Sequence, residues 1–115
     1  MQEIAKLNNI MAKMNKLDNV TTVFASSRAG VFAMGMTPKM TDRAMFSAIT
    51  SMMLGAAEQM GREMGDELSY IVLNLIDSKM VIMGAGPKHL IGILVDPKGD
   101  PEKLAAEAKV IITST

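Results

Sequence analysis

Along the first eighteen residues the apolar side chains Ile4, Leu7, Ile10, Met11, Met14 and Leu17 recur three and four positions apart, with Lys6, Lys13, Lys16 and several asparagines between them. That spacing predicts an amphipathic helix over residues 3–18, ended near Asn19 and packed on the chain's own core. Two short extended runs follow, Val20–Ser27 and Val31–Met36. They are rich in Thr, Val and Phe and are joined through Arg28-Ala29-Gly30, which predicts a hairpin. Thr37-Pro38-Lys39 then breaks the pattern, because proline fixes its own φ and biases its predecessor away from helix.

A long helix is predicted from a cap at Thr41 or Asp42 to Gly65, a residue able to take the left-handed closing conformation. Steps of about 100° place Met45, Ile49, Met52, Met53, Ala56 and Met60 on one side. Phe46, Ala48, Ala57 and Met64 widen that side to roughly half the cylinder, more than the ~100° a helix on one sheet needs. Ser47, Ser51, Glu58 and Arg62 form a narrow polar strip opposite. Such a helix has apolar surface for two neighbours, its own sheet and something else.

Three strands come next, Leu68–Ile76, Met80–Ala85 and Leu90–Val95, separated by Asp77-Ser78-Lys79 and Gly86-Pro87-Lys88. Short turns predict an antiparallel meander. The second and third strands are apolar at both parities, so helices should cover both faces of the sheet. The first strand begins the meander and has no Lys, Pro or charge in its interior, the devices that protect an open edge. Together with the over-wide helix it predicts a homodimer. The expected interface is Ile49, Met53, Ala57 and Met60 on the helix with Ser69, Tyr70, Ile71, Val72, Leu73 and Asn74 on the strand. A last helix starts at Asp100-Pro101-Glu102 and turns Leu104, Ala108, Ile111 and Ile112 inward. Its β-branched end, Val-Ile-Ile-Thr-Ser-Thr, predicts fraying or an early stop.

Composition narrows the function classes. The 115 residues suit one domain spanning 1–115, and 49% hydrophobic with 21% charged residues is not a disordered profile. Twelve Lys and Arg balance twelve Asp and Glu, which argues against a nucleic-acid partner. The absence of Cys excludes disulfides, thiolate metal sites and thiol chemistry, and a lone His89 excludes a multi-histidine site. Thirteen Met stand beside three Phe, one Tyr and no Trp, so flexible thioethers replace rings as core filler or as an adaptable contact surface. The charged N-terminus is not a signal peptide. The longest uncharged run, Ala44–Ala57, has 14 residues against the roughly 20 of a spanning helix. The expectation is a soluble, cytoplasmic protein without membrane insertion.

The order helix, two strands, long helix, three strands, helix, with the segments VTTVFASSRAGVFAMGM, ITSMMLGAAEQMGREMGDELSYIVLNL and KMVIMGAGPKHLIGILVD, resembles the Roadblock family of dynein light-chain-type and GTPase-regulating proteins. The resemblance spans essentially the whole chain. It implies an α+β fold of profilin/longin-like type: a five-stranded antiparallel sheet with the first and last helices on one face and the middle helix on the other. It also implies a dimer in which the strand after the middle helix joins its twin while the two middle helices pack antiparallel. In the family such dimers bind small Ras-like GTPases as regulators or scaffolds, or serve as motor light chains, and no family-wide catalytic residue exists to carry over. The chain lacks a long acidic or Pro-rich tail, so no tail-mediated function is expected.

The residues themselves hold little chemistry. Gly84-Ala85-Gly86-Pro87-Lys88 lacks both phosphate-loop spacings and joins two strands rather than opening a helix, so it reads as a tight hairpin. His89 with Ser69 or Ser78 and Asp96 supplies the residue types of a hydrolase triad without a nucleophile elbow. Asp66, Glu67 and Asp77 read as cap and turn residues. Arg28 and Arg62 are of the type that stabilises phosphoryl transfer, although a surface salt bridge or solubilising charge is the simpler reading. No catalytic, cofactor-binding or metal-binding residue is therefore expected. The expected function is a non-enzymatic homodimeric module that binds and regulates or scaffolds a Ras-like GTPase, with partner contact at Ser47, Ser51, Glu58 and Arg62. The alternatives are a purely architectural light-chain subunit or a profilin-like small-molecule sensor.

Overall fold

A computed structural model describes residues 2–115. The elements are α1 (Gln2–Met14), β1 (Val20–Ser27), β2 (Phe32–Gly35), α2 (Arg43–Glu63), β3 (Ile71–Asn74), β4 (Lys79–Ala85), β5 (His89–Val95) and α3 (Pro101–Ser114). All five strands form one antiparallel sheet in the order β2-β1-β5-β4-β3. β1 occupies its expected residues, and β5 runs through the sheet interior between β1 and β4. β4 and β5, the two strands that the pattern marks as covered on both faces, are both interior, as is β1.

Strand alternation sends the two parities to two cores. Val23, Ala25, Val81, Met83, Ile91, Ile93 and Val95 meet Leu7, Ile10, Met11 and Met14 of α1 and Leu104, Ala105 and Ala108 of α3. Phe24, Met80, Ile82 and Leu90 meet Leu54 of α2 on the other face, with Phe46 and Met53 packed against them. One row there runs Phe24–Gly92–Ile82–Ile71 across four strands. The Phe24 ring lies over Gly92, where any Cβ would overlap it. Phe46 of α2 then meets Phe24 edge-on, with centroids 5.6 Å apart.

Local chemistry sets the ends. The Asp42 carboxylate accepts from the N–H groups of Ala44 and Met45, and Asp100 does the same for Glu102 and Lys103. Gly65 closes α2 at φ +70°, while the Asp66 N–H donates to the Gly61 carbonyl.

Three boundaries differ from expectation. α1 ends at Met14, and Asn19 uses its φ of +67° at the entrance to β1, where its carbonyl accepts from the Asp96 N–H. β3 has four residues rather than nine. At one end Leu75 and Ser78 close a two-residue turn that leaves Ile76 fully exposed, and at the other Leu68 is drawn into the core beneath α2. α3 does not stop early but continues to Ser114. Ile111 and Ile112 pack on the α1/α3 core, and the Thr113 and Thr115 hydroxyls donate to carbonyls one turn back.

Candidate interaction surface

The α2 helix is oriented by a polar contact, not by its methionines. Ser47, Thr50 and Leu54, at helical spacing, are its buried positions. The sheet face beneath carries the bulky Phe24, Met80, Ile82 and Leu90; Leu54 packs on them, while the small Ser47 and Thr50 let the helix approach closely on one flank. Gly30 completes the fit: a Cβ at this position, already at φ +91°, would stand 3.2 Å from the Ala48 Cα. The Ser51 hydroxyl donates to the Arg28 carbonyl at 2.7 Å, and the Thr50 hydroxyl donates to the Phe46 carbonyl. Ser47 Oγ is buried with no hydrogen-bond partner among the described residues.

Arg28 is the node of this contact. Its Nη1 donates to both Glu58 carboxylate oxygens at 2.8 and 2.9 Å, and its Nε donates to the Gly86 carbonyl at 3.1 Å. Its backbone N–H donates to the Lys88 carbonyl. The guanidinium lies against Gly84, where a Cβ would strike it. One side chain thus ties the β1–β2 loop, the β4–β5 turn and α2 together. The local pairing also neutralises its charge. Arg28 is a structural clamp: it forms the salt bridge expected of it, with Glu58, and bonds the Gly86 carbonyl besides.

The expected outward strip of α2 is therefore corrected. Ser47 is fully buried, Ser51 and Glu58 are half-buried and engaged by Arg28, and only Arg62 of the four is exposed, with Nη2 donating to Gln59 Oε1. The apolar side is correspondingly turned out. Met45, Met52, Met60 and Met64 are 62–75% exposed, and Ile49 is 46% exposed. Met53 and Ala57 are half-buried at its margin. By helical steps of about 100°, Ile49, Met53 and Met60 lie on the flank away from Ser51 and Glu58.

The other expected interface element is an edge. β3 pairs only with β4, and Ile71, Val72 and Leu73 are half-buried, while Ser69 and Asn74 are exposed and Tyr70 packs against the α1/α3 core. The Leu75 N–H bonds to the Ser78 carbonyl across the turn. Alternation then makes Leu73–Met80 and Ile71–Ile82 the hydrogen-bonded pairs and turns the N–H and C=O of Val72 and Asn74 to the open side. The β3 edge thus joins unpaired backbone groups to apolar side chains.

Elsewhere the chemistry is sparse. Of the glycine-rich segment, Gly84 and Ala85 end β4 and residues 86–88 make the β4–β5 hairpin turn, and His89 opens β5 opposite Ala85. Among the described residues no group of three His, Cys, Asp or Glu is placed to hold a metal ion. No helix there is long and apolar enough to cross a membrane.

A five-stranded antiparallel sheet with two helices on one face, one on the other and an open β3 edge defines the Roadblock/longin-like class. The Roadblock/LC7 domain family model matches residues 6–95, and the chain belongs to that family. Its structure is similar to a Roadblock/LC7 domain from Streptomyces avermitilis (16% identity, 91% of this chain and 90% of that one, TM-score 0.75). It is similar too to MglB of Myxococcus xanthus (14% identity, 99% and 90%, TM-score 0.78) and to an MglB solved in a tetrameric arrangement (11% identity, 96% and 85%, TM-score 0.78). No curated protein sequence matches the chain.

Proposed function

We propose that this chain is a non-enzymatic homodimeric module that binds and regulates or scaffolds a small Ras-like GTPase. The observation that carries the reading is the unpartnered methionine face of α2 beside the open β3 edge. Water-facing apolar surface on this scale, next to a strand without a protecting charge, marks an interaction site. A twin covers both at once: Val72 and Asn74 pair across the β3 edges, and Ile49, Met53, Ala57 and Met60 meet their counterparts on the partner helix. Assembly of an MglB as a tetramer supports a self-associating scaffold.

Family membership supports the GTPase as partner. Arg62, with Met45 and Met52, is the part of α2 left to meet it, since Ser47, Ser51 and Glu58 are withdrawn. Arg28 is clamped on Glu58 and Gly86, so any acceleration of hydrolysis acts by repositioning the GTPase's own loops. The test is capture of the host's Ras-like GTPases, loaded with GTP or with GDP, on the immobilised protein. Nucleotide-dependent capture is expected. Capture indifferent to nucleotide favours a purely architectural light-chain role, and no capture in either state overturns the proposal.

A further inference from the structure

A concave site lies on the face opposite α2. The start of α1, the β4–β5 turn and the end of α3 enclose a cleft of about 370 Å³. Its floor is Leu7, Ile10 and Ala85, all buried, and Ile112 forms one wall. Its mouth carries Lys6 from α1, with Lys88 and His89 from the β4–β5 hairpin. Among the described residues the only acid lining the cleft is Glu3, and it is already engaged, with Lys88 Nζ donating to Glu3 Oε1 at 3.1 Å. Lys6 forms no ion pair among the described residues. In a chain of zero net charge, this mouth is locally cationic above an apolar floor.

We infer that the cleft binds a small amphiphilic monocarboxylate, its apolar body on Leu7, Ile10 and Ile112 and its carboxylate between Lys6 and Lys88. The size fits. The cavity falls near the low end of the range for small-molecule sites. An eight-carbon carboxylate, on the order of ten heavy atoms, occupies it without displacing a helix. The sign fits too. A carboxylate gains two ammonium partners, and the exposed Lys88–Glu3 pair that it loosens is of the weakly stabilising kind. A cation would meet Lys6 and Lys88 with Glu3 already taken, and a neutral chain would leave both ammonium groups unanswered.

The cleft has no residue from α2 or β3, so its occupancy does not compete with the proposed dimer or GTPase contact. The test is titration of the full chain with octanoate at millimolar concentration, followed by amide shifts in two-dimensional NMR. Saturable shifts are expected at residues 6–10, at 85, 86, 88 and 89 around Pro87, and at 112–113. Octanol should bind several-fold more weakly than octanoate. Lys6→Glu, an exposed change on α1, should weaken octanoate binding about twofold to fivefold. Thr113→Trp, which fills the mouth from the exposed side of α3, should abolish it while circular dichroism shows the fold retained. Absence of saturable shifts at the lining residues overturns the inference. So does equal binding of octanol and octanoate, or full binding by Lys6→Glu.

Discussion

Removing the Glu58 carboxylate tests whether α2 is held by its polar side. In the structure Glu58 takes both hydrogen bonds from Arg28 Nη1, and the two side chains are 27% and 31% exposed. Fully exposed ion pairs contribute about 0.2–1 kcal/mol, and breaking a buried one costs about 3–5 kcal/mol. A pair this far from full burial, with solvent screening discounted but a charge-assisted geometry retained, belongs near 1–2 kcal/mol, to order of magnitude. Glu58→Ala should therefore lower the melting temperature by about 4–8 °C, at roughly 4 °C per kcal/mol for a domain of this size. The cause is isolated by a double-mutant cycle with Arg28→Ala in urea, at one fixed protomer concentration so that self-association does not enter the comparison. The expected coupling is about 1 kcal/mol or more. Additivity within about 0.3 kcal/mol would refute the clamp and return Glu58 to the solvated strip expected from the pattern alone.

Three further outcomes follow from the packing. Ser47→Ala removes a buried hydroxyl without a partner, so it should raise stability by about 1 kcal/mol in chemical denaturation, and a loss of that size would show that the hydroxyl is bonded. Gly92→Ala drives a methyl into the Phe24 ring, which Phe46 holds from the other side, and should cost about 1–3 kcal/mol, whereas Gly92→Ala combined with Phe24→Leu should recover part of that loss. A thermal scan that leaves Gly92→Ala unchanged would contradict the packing. Val72→Pro blocks the open edge without removing a β3–β4 hydrogen bond, so it should halve the particle mass in light scattering and leave far-ultraviolet circular dichroism unchanged. A dimer that survives this substitution does not pair through β3.

Element order was legible because each boundary carries local chemistry: Asp42 and Asp100 cap helices, Gly65 ends one, and Gly86-Pro87 turns a hairpin. The double-sided character of β4 and β5 was equally legible, since their apolar runs leave no polar parity. Which way α2 faces was not. Its sequence offers a broad methionine side and a narrow polar side, and an apolar-inward rule turns the methionines to the sheet. The structure instead divides that side: Leu54, Phe46 and Met53 meet Phe24, Met80, Ile82 and Leu90 of the sheet, the small Ser47 and Thr50 are buried beside them, and Met45, Met52, Met60 and Met64 are left outside. The partner that holds the polar side, Arg28, lies thirty positions from Glu58 in sequence. No spacing rule reaches that far. The short β3 was hidden for a similar reason, since Leu68 reads as strand but serves the core under α2, and Ile76 reads as strand but stands fully exposed in a turn.

Mass in solution bears most directly on the proposed function. Sedimentation equilibrium of the unmodified protein at micromolar concentration should give twice the 12.4 kDa of the chain. Well-folded particles of a single chain mass across that range would contradict it, because the exposed methionines of α2 and the open β3 edge would then lack the twin assigned to them.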